Sequence, residues 1–224
     1  MDRIDQGKQK LSTPRAAAVA GILSGLLFIA ANLLLRYAIP RAQAETDTWS
    51  VENAGSLSLA LNLVPFAGIA FLWFIGVARD RLGKREDQFF STVFLGSGLL
   101  YLAMTFIAAA IAGGLLGSYL SLEPTSSEAV LMFSTSTIGQ ITNIFSIRMA
   151  AVFMISSATM WYQTKVMPRL LALLTYVLAL GLLVLINFSL WVTLIFPVWM
   201  LSVSILILII NYRRPTKKEN SVPV

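Results

Sequence analysis

The sequence contains no cysteine and no histidine. Disulfides, thiol nucleophiles, Cys/His zinc sites and histidine-ligated haem are therefore excluded. So are the HExxH zinc proteases and any Ser-His dyad. Charge is scarce too: 12% of the 224 residues are Asp, Glu, Lys or Arg, against roughly 25% in soluble domains. All 11 acidic residues fall outside the long apolar runs. Proton-coupled transporters and intramembrane aspartyl proteases place carboxylates at membrane depth, so both classes lose support. Carboxylate metal cages lose it for the same reason, and no metal or other cofactor is expected. There is no Walker loop. "GSG" at 96–98 and "GG" at 113–114 lie inside an apolar run and read as packing glycines. The lysines all lie in segments expected to be cytoplasmic, so a Ser-Lys dyad lacks its base at depth. An enzyme would have to act through loop residues alone.

What is abundant is apolar surface. Hydrophobic residues make up 57% of the chain, and mean hydropathy is +0.75. A water-soluble fold of this length could not bury that much, because burial is limited by surface-to-volume scaling. Lipid removes the limit. Six apolar stretches approach the roughly 20 residues that cross a bilayer: about 16–39, 56–78, 89–117, 138–163, 168–187 and 190–211. The runs are continuous, without the alternation of a β-barrel, so helices are expected. The predicted fold is an all-α, polytopic transmembrane bundle of six spans over residues 16–212. A cytoplasmic segment, 1–15, precedes it, and a disordered cytoplasmic tail, 213–224, follows. Pro65 and Pro197 are expected to kink the second and sixth spans.

The net charge of +6 could suggest nucleic acid. Its distribution argues for membrane lipids instead. Fourteen of the 17 basic residues sit in four clusters that fall on one side of a six-span chain. They are Arg3 to Arg15, Arg79 to Arg85, Lys165 with Arg169, and Arg213 to Lys218. The opposite loops hold Arg41 and five carboxylates: Glu45, Asp47, Glu52, Glu123 and Glu128. This places both termini in the cytoplasm. "RAQA" at 41–44 resembles a signal-peptidase site, but the preceding apolar run exceeds the 7–15 residues of a signal h-region, so a retained first helix is expected. Trp49 suits an anchor at headgroup level. Thr125-x-x-Glu128 is a capping-box pattern. It could open a short helix on the outer face, or the fourth helix could simply begin there. The turn near 187–189 is short enough to make the last two spans antiparallel neighbours.

Two GxxxG spacings stand out: Gly21 with Gly25, and Gly113 with Gly117. Small residues at i and i+4 let helix backbones approach. They serve packing within the chain or a homo- or hetero-oligomer.

Arg148 is the one full charge within "ITNIFSIRMAAVFMI", residues 141–155. Helical rise puts it about 10 Å below the outer end of the fourth span. Asn32 and Asn62 come to a similar depth in the first two spans, and Arg36 lies one turn above Asn32. These residues suggest a polar layer in the outer half of the bundle, with Glu52 the nearest carboxylate. Arg148 would then pair with an outer carboxylate and staple a loop, form an outward-facing site for an anionic small molecule or lipid headgroup, or snorkel to the interface. A site of this kind would serve a binder or a transporter alike. The competing reading is an assembly subunit that holds a partner through its small-residue faces, with Arg148 only a structural ion pair.

The stretch "SIRMAAVFMISSATMW…KVMPRLLALLTYVLALGLL", 146–183, resembles small multi-pass bacterial membrane proteins whose function is not known. There, as here, an Arg-Met-Ala-Ala helix is followed by a short basic turn, a Pro-Arg and a leucine-rich helix. The resemblance covers about a fifth of the chain. It implies a bacterial inner-membrane setting and a helical bundle, and it carries no catalytic residues.

Overall fold

The computed structural model describes residues 13–38, 51–82, 88–120, 128–164, 168–184 and 191–212. Nearly all of them are helical, and no strand occurs among them. The helices are α1 (Thr13–Ala38), α2 (Val51–Leu82), α3 (Gln88–Leu120), α4 (Glu128–Gln140), α5 (Ile147–Thr164), α6 (Arg169–Val184) and α7 (Val192–Tyr212). A π-helical segment, Ile141–Ser146, joins α4 to α5 without a break. Five stretches are long and apolar enough to cross a membrane: Ala16–Ala38, Asn53–Arg79, Phe89–Ser118, Ala129–Gln163 and Val192–Ile210. The sixth apolar helix, α6, has 16 residues, about 24 Å by helical rise.

Of the two readings of Thr125-x-x-Glu128, the structure shows the longer fourth helix. From Glu128 it continues through the π segment, so Ala129–Gln140 extends the span and forms no separate surface helix. The backbone there satisfies itself within the helix and needs no interface. α6 covers Arg169–Val184 of the expected 168–187, and 185–187 lie outside the described residues. It packs chiefly on α5, and Trp199 of α7 donates its indole N–H to Thr175 of α6. Trp49, the "RAQA" motif, residues 1–12, the turn near 187–189 and the tail 213–224 lie outside the described residues.

α1 packs most extensively on α2 and then on α7, and α3 lies against α2, α5 and the π segment. The glycines explain the α1–α7 approach. A Cβ on Gly21 would overlap Ser204 Oγ and lie 2.8 Å from Phe74 Cδ2. One on Gly25 would lie 3.0 Å from Leu201 Cβ and 3.2 Å from the Pro197 carbonyl oxygen. Gly98 is equally tight, with Ile75 Cδ1 at 2.7 Å. Gly113 has only ordinary contact with Leu61, and Gly117 faces open space. Pro65 and Pro197 lie inside continuous helices.

The core is aromatic. Phe28, Phe71, Tyr101, Phe153, Phe196 and Trp199, from α1, α2, α3, α5 and α7, form one contiguous cluster. The ring centroids are 4.5 Å apart for Tyr101–Phe196 and for Phe94–Phe153. Such pairs add about 0.5–1.5 kcal/mol beyond burial of their area. Hydroxyls inside the bundle mostly donate to the carbonyl four residues back, as at Ser157, Thr159 and Thr175. Polar side chains thereby satisfy themselves where water is absent. Bonds also cross between helices, among them Ser24 Oγ to the Ala67 carbonyl (3.0 Å), Trp199 Nε1 to Thr175 Oγ1 (3.0 Å), and Thr159 with the Tyr176 hydroxyl (2.7 Å). A smaller cluster of Ala38, Ala54, Leu57, Ala112 and Leu116 packs the end of the bundle where α1 and α3 finish.

Candidate functional site

Between these two clusters lies a cavity of about 260 Å³. It exists because small residues converge on it: Ala108, Ala109 and Ala112 of α3, Gly139 of α4 and Ala150 of α5. Tyr101 and Phe196, both members of the aromatic core, line its base. Most of the remaining wall is aliphatic, including Val64, Ile138, Leu182 and Val192.

The polar lining comes from several helices, with Thr135 of α4 and Thr193 of α7 among its hydroxyls. α1 contributes Asn32 and Arg36, one helical turn apart. Asn32 Nδ2 donates to the Phe28 carbonyl at 2.8 Å. This fixes the amide and leaves its Oδ1 available. The Arg36 guanidinium carbon lies 4.0 Å from the centre of the Trp191 ring, at the start of α7. One face of the fork is thus taken up by an aromatic ring. Its Nη1 is buried and has no hydrogen-bond partner. A buried guanidinium N–H without an acceptor is costly, because the desolvation of a charged donor goes uncompensated.

Thr142, Asn143 and Ser146 of the π segment also line the cavity, with Thr105 of α3 beside Ser146. Thr105 Oγ1 donates to the Tyr101 carbonyl at 2.8 Å and lies 3.4 Å from Ser146 Oγ. The Ile147 N–H reaches the Thr142 carbonyl, five residues back. A π turn widens the helix by one residue, and such turns are frequent at functional sites. Here all three of its polar residues line the cavity.

The expected polar layer is therefore only half assembled. Asn32 and Arg36 come together at the cavity. Asn62 does not; it is exposed and donates to the Ser58 carbonyl at 2.9 Å. Arg148 is not buried either, and it lies on the outer surface of α5. The buried stripe of that helix runs through Ile147, Ala150, Ala151, Met154, Ala158 and Trp161, and Arg148 falls outside it. The Thr159–Tyr176 bond registers α5 against α6. By helical rise from that bond, Arg148 sits about 4 Å beyond Val184, the last described residue of α6. An exposed arginine can reach the interface along its own length, which is the snorkelling alternative. The Glu52 side chain lies outside the described residues.

Sequence reasoning missed Thr105, Asn143 and Ser146 as a group. Their signal was the clustering of small residues in "AAAIAGG", 108–114, opposite a polar "ITN", 141–143. The π turn that aligns them leaves no mark in a 3.6-residue pattern. Of the small-residue pairs, Gly21 and Gly25 are consumed by contacts within the chain. Among the described residues no group of His, Cys, Asp or Glu could hold a metal ion. No family model matches the sequence, and no curated protein or solved structure shows significant similarity to it.

Proposed function

We propose that this chain is a six-span protein of the bacterial inner membrane, with both termini cytoplasmic, that binds an anionic small molecule or lipid headgroup. The site is the cavity between α1, α3, α7 and the π segment. The arginine of the site is Arg36, with Asn32 beside it; Arg148 is peripheral. One observation carries the reading: a guanidinium Nη1 buried without a partner at the wall of a cavity. An anionic oxygen would satisfy it, and the neutral amides and hydroxyls that also line the cavity would complete the oxyanion's hydrogen bonds. The basic clusters at the other end of the helices support an outward opening, since the loops near Arg36 are the acid-bearing ones. Among the described lining residues no carboxylate, histidine or lysine accompanies the hydroxyls of Thr105, Thr142 and Ser146 to act as their base, which favours binding over catalysis.

Native mass spectrometry of the full-length chain, extracted in mild detergent, tests this reading. Arg36→Gln should lose a co-purified anionic species that Arg148→Gln retains. The opposite pattern would return the site to Arg148.

The assembly reading keeps one foothold, the open space at Gly117. An unchanged oligomeric state in Gly117→Leu would remove it.

A further inference from the structure

Resting on that reading, we infer that the cavity takes a singly charged oxyanion carried on an apolar body, and discriminates against dianions and zwitterions. The charge count supports this. Among the described residues, Arg36 is the only ionisable cation that lines the cavity, and no carboxylate lines it. A single negative charge neutralises the site. A phosphate monoester, carrying nearly two charges above its second pKa, leaves one uncompensated in a low-dielectric pocket. A zwitterion brings an ammonium that meets no acidic partner.

The shape of the lining supports the apolar body. Trp191 covers one face of the Arg36 fork, so the ligand meets its edge, where the unpartnered Nη1 lies. Beyond that edge the cavity is mainly Ala, Val, Leu and Ile down to the Tyr101–Phe196 pair. A hydrated inorganic ion would leave this apolar portion unfilled. At about 260 Å³ the cavity exceeds the apolar site of about 150 Å³ that binds benzene. It therefore holds roughly ten non-hydrogen atoms, enough for an oxyanion and a medium-length chain. The class comprises a carboxylate with an alkyl tail and the phosphodiester of an anionic lipid with part of one chain.

The test uses the full-length protein in maltoside micelles at pH 8.5. Decanoate, decyl phosphate, decanol and decyltrimethylammonium are titrated, and the unfolding midpoint and tryptophan fluorescence are followed. Decanoate should bind saturably, at least tenfold tighter than the other three. Arg36→Gln should abolish that preference, and Arg148→Gln should retain it. Should Arg36→Gln fail to fold, Arg36→Lys replaces it and should keep the order of preference while weakening decanoate. Decyl phosphate binding as tightly as decanoate would overturn the single-charge inference and leave the anion site standing. Decanol binding as tightly as decanoate would overturn both. In nanodiscs, loss of decanoate binding when phosphatidylglycerol is added to phosphatidylcholine assigns the oxyanion to a lipid phosphodiester. Unchanged binding assigns it to a free carboxylate. Either result keeps the single charge.

Discussion

Replacing Gly21 by alanine adds one methyl group where Ser204 Oγ and Phe74 Cδ2 already crowd the α1 backbone. The same replacement at Gly117 adds it in open space. Both changes gain whatever helix propensity alanine offers over glycine, about 0.8–1.0 kcal/mol in an aqueous helix. That gain cancels when the two variants are compared. What remains is the overpacking at Gly21, about 1–3 kcal/mol for an added methylene in a filled core. Gly21→Ala should therefore be less stable than Gly117→Ala by that amount. Unfolding in mixed detergent–SDS micelles, followed by tryptophan fluorescence, measures the difference. Ser204 supplies an internal check. Its hydroxyl is fully buried and has no hydrogen-bond partner, so Ser204→Ala alone should cost little. In the Gly21→Ala background it should restore part of the loss, with a coupling of at least about 0.5 kcal/mol. Equal stability of the two alanine variants, or no coupling to Ser204, would refute the close α1–α7 contact.

Other substitutions probe the polar groups. Thr175→Val removes the acceptor of the buried Trp199 indole N–H and should cost about 1 kcal/mol, in line with hydrogen bonds inside membrane bundles; Thr175→Ser should cost nothing measurable in the same unfolding assay. Arg36→Met surrenders an aromatic contact worth about 0.5–1 kcal/mol and relieves an unsatisfied donor, so its unfolding midpoint should stay close to that of the wild type. A loss of several kcal/mol would mean that Arg36 is ion-paired. Arg148→Gln, at an exposed position, should leave the midpoint unchanged, whereas a clear destabilisation would revive the loop staple.

The sequence shows what is set by composition and length. Continuous apolar runs separated by charged segments yield the helices, because the backbone in such runs can pair only with itself. Packing at Gly21, Gly25 and Gly98 follows from small side chains alone. The direction in which Arg148 points does not. The expectation that membrane charges face the bundle assumes a neighbour on every side at that depth. Arg148 is exposed on α5, so that assumption fails there. The sequence places Arg36 one turn above Asn32, near a helix end. Its burial depends on Trp191, more than 150 residues away in sequence, and no local pattern connects the two. The cavity likewise arises from residues missing bulk on three helices at once, and a single span cannot reveal that coincidence.

The exposed position of Arg148 on α5 has a consequence for the surrounding lipid. A cation on the outer flank of a spanning helix draws headgroups and water toward itself, and the bilayer thins around it. The protein would then carry its own local thinning of the membrane, stronger in thick bilayers than in thin ones.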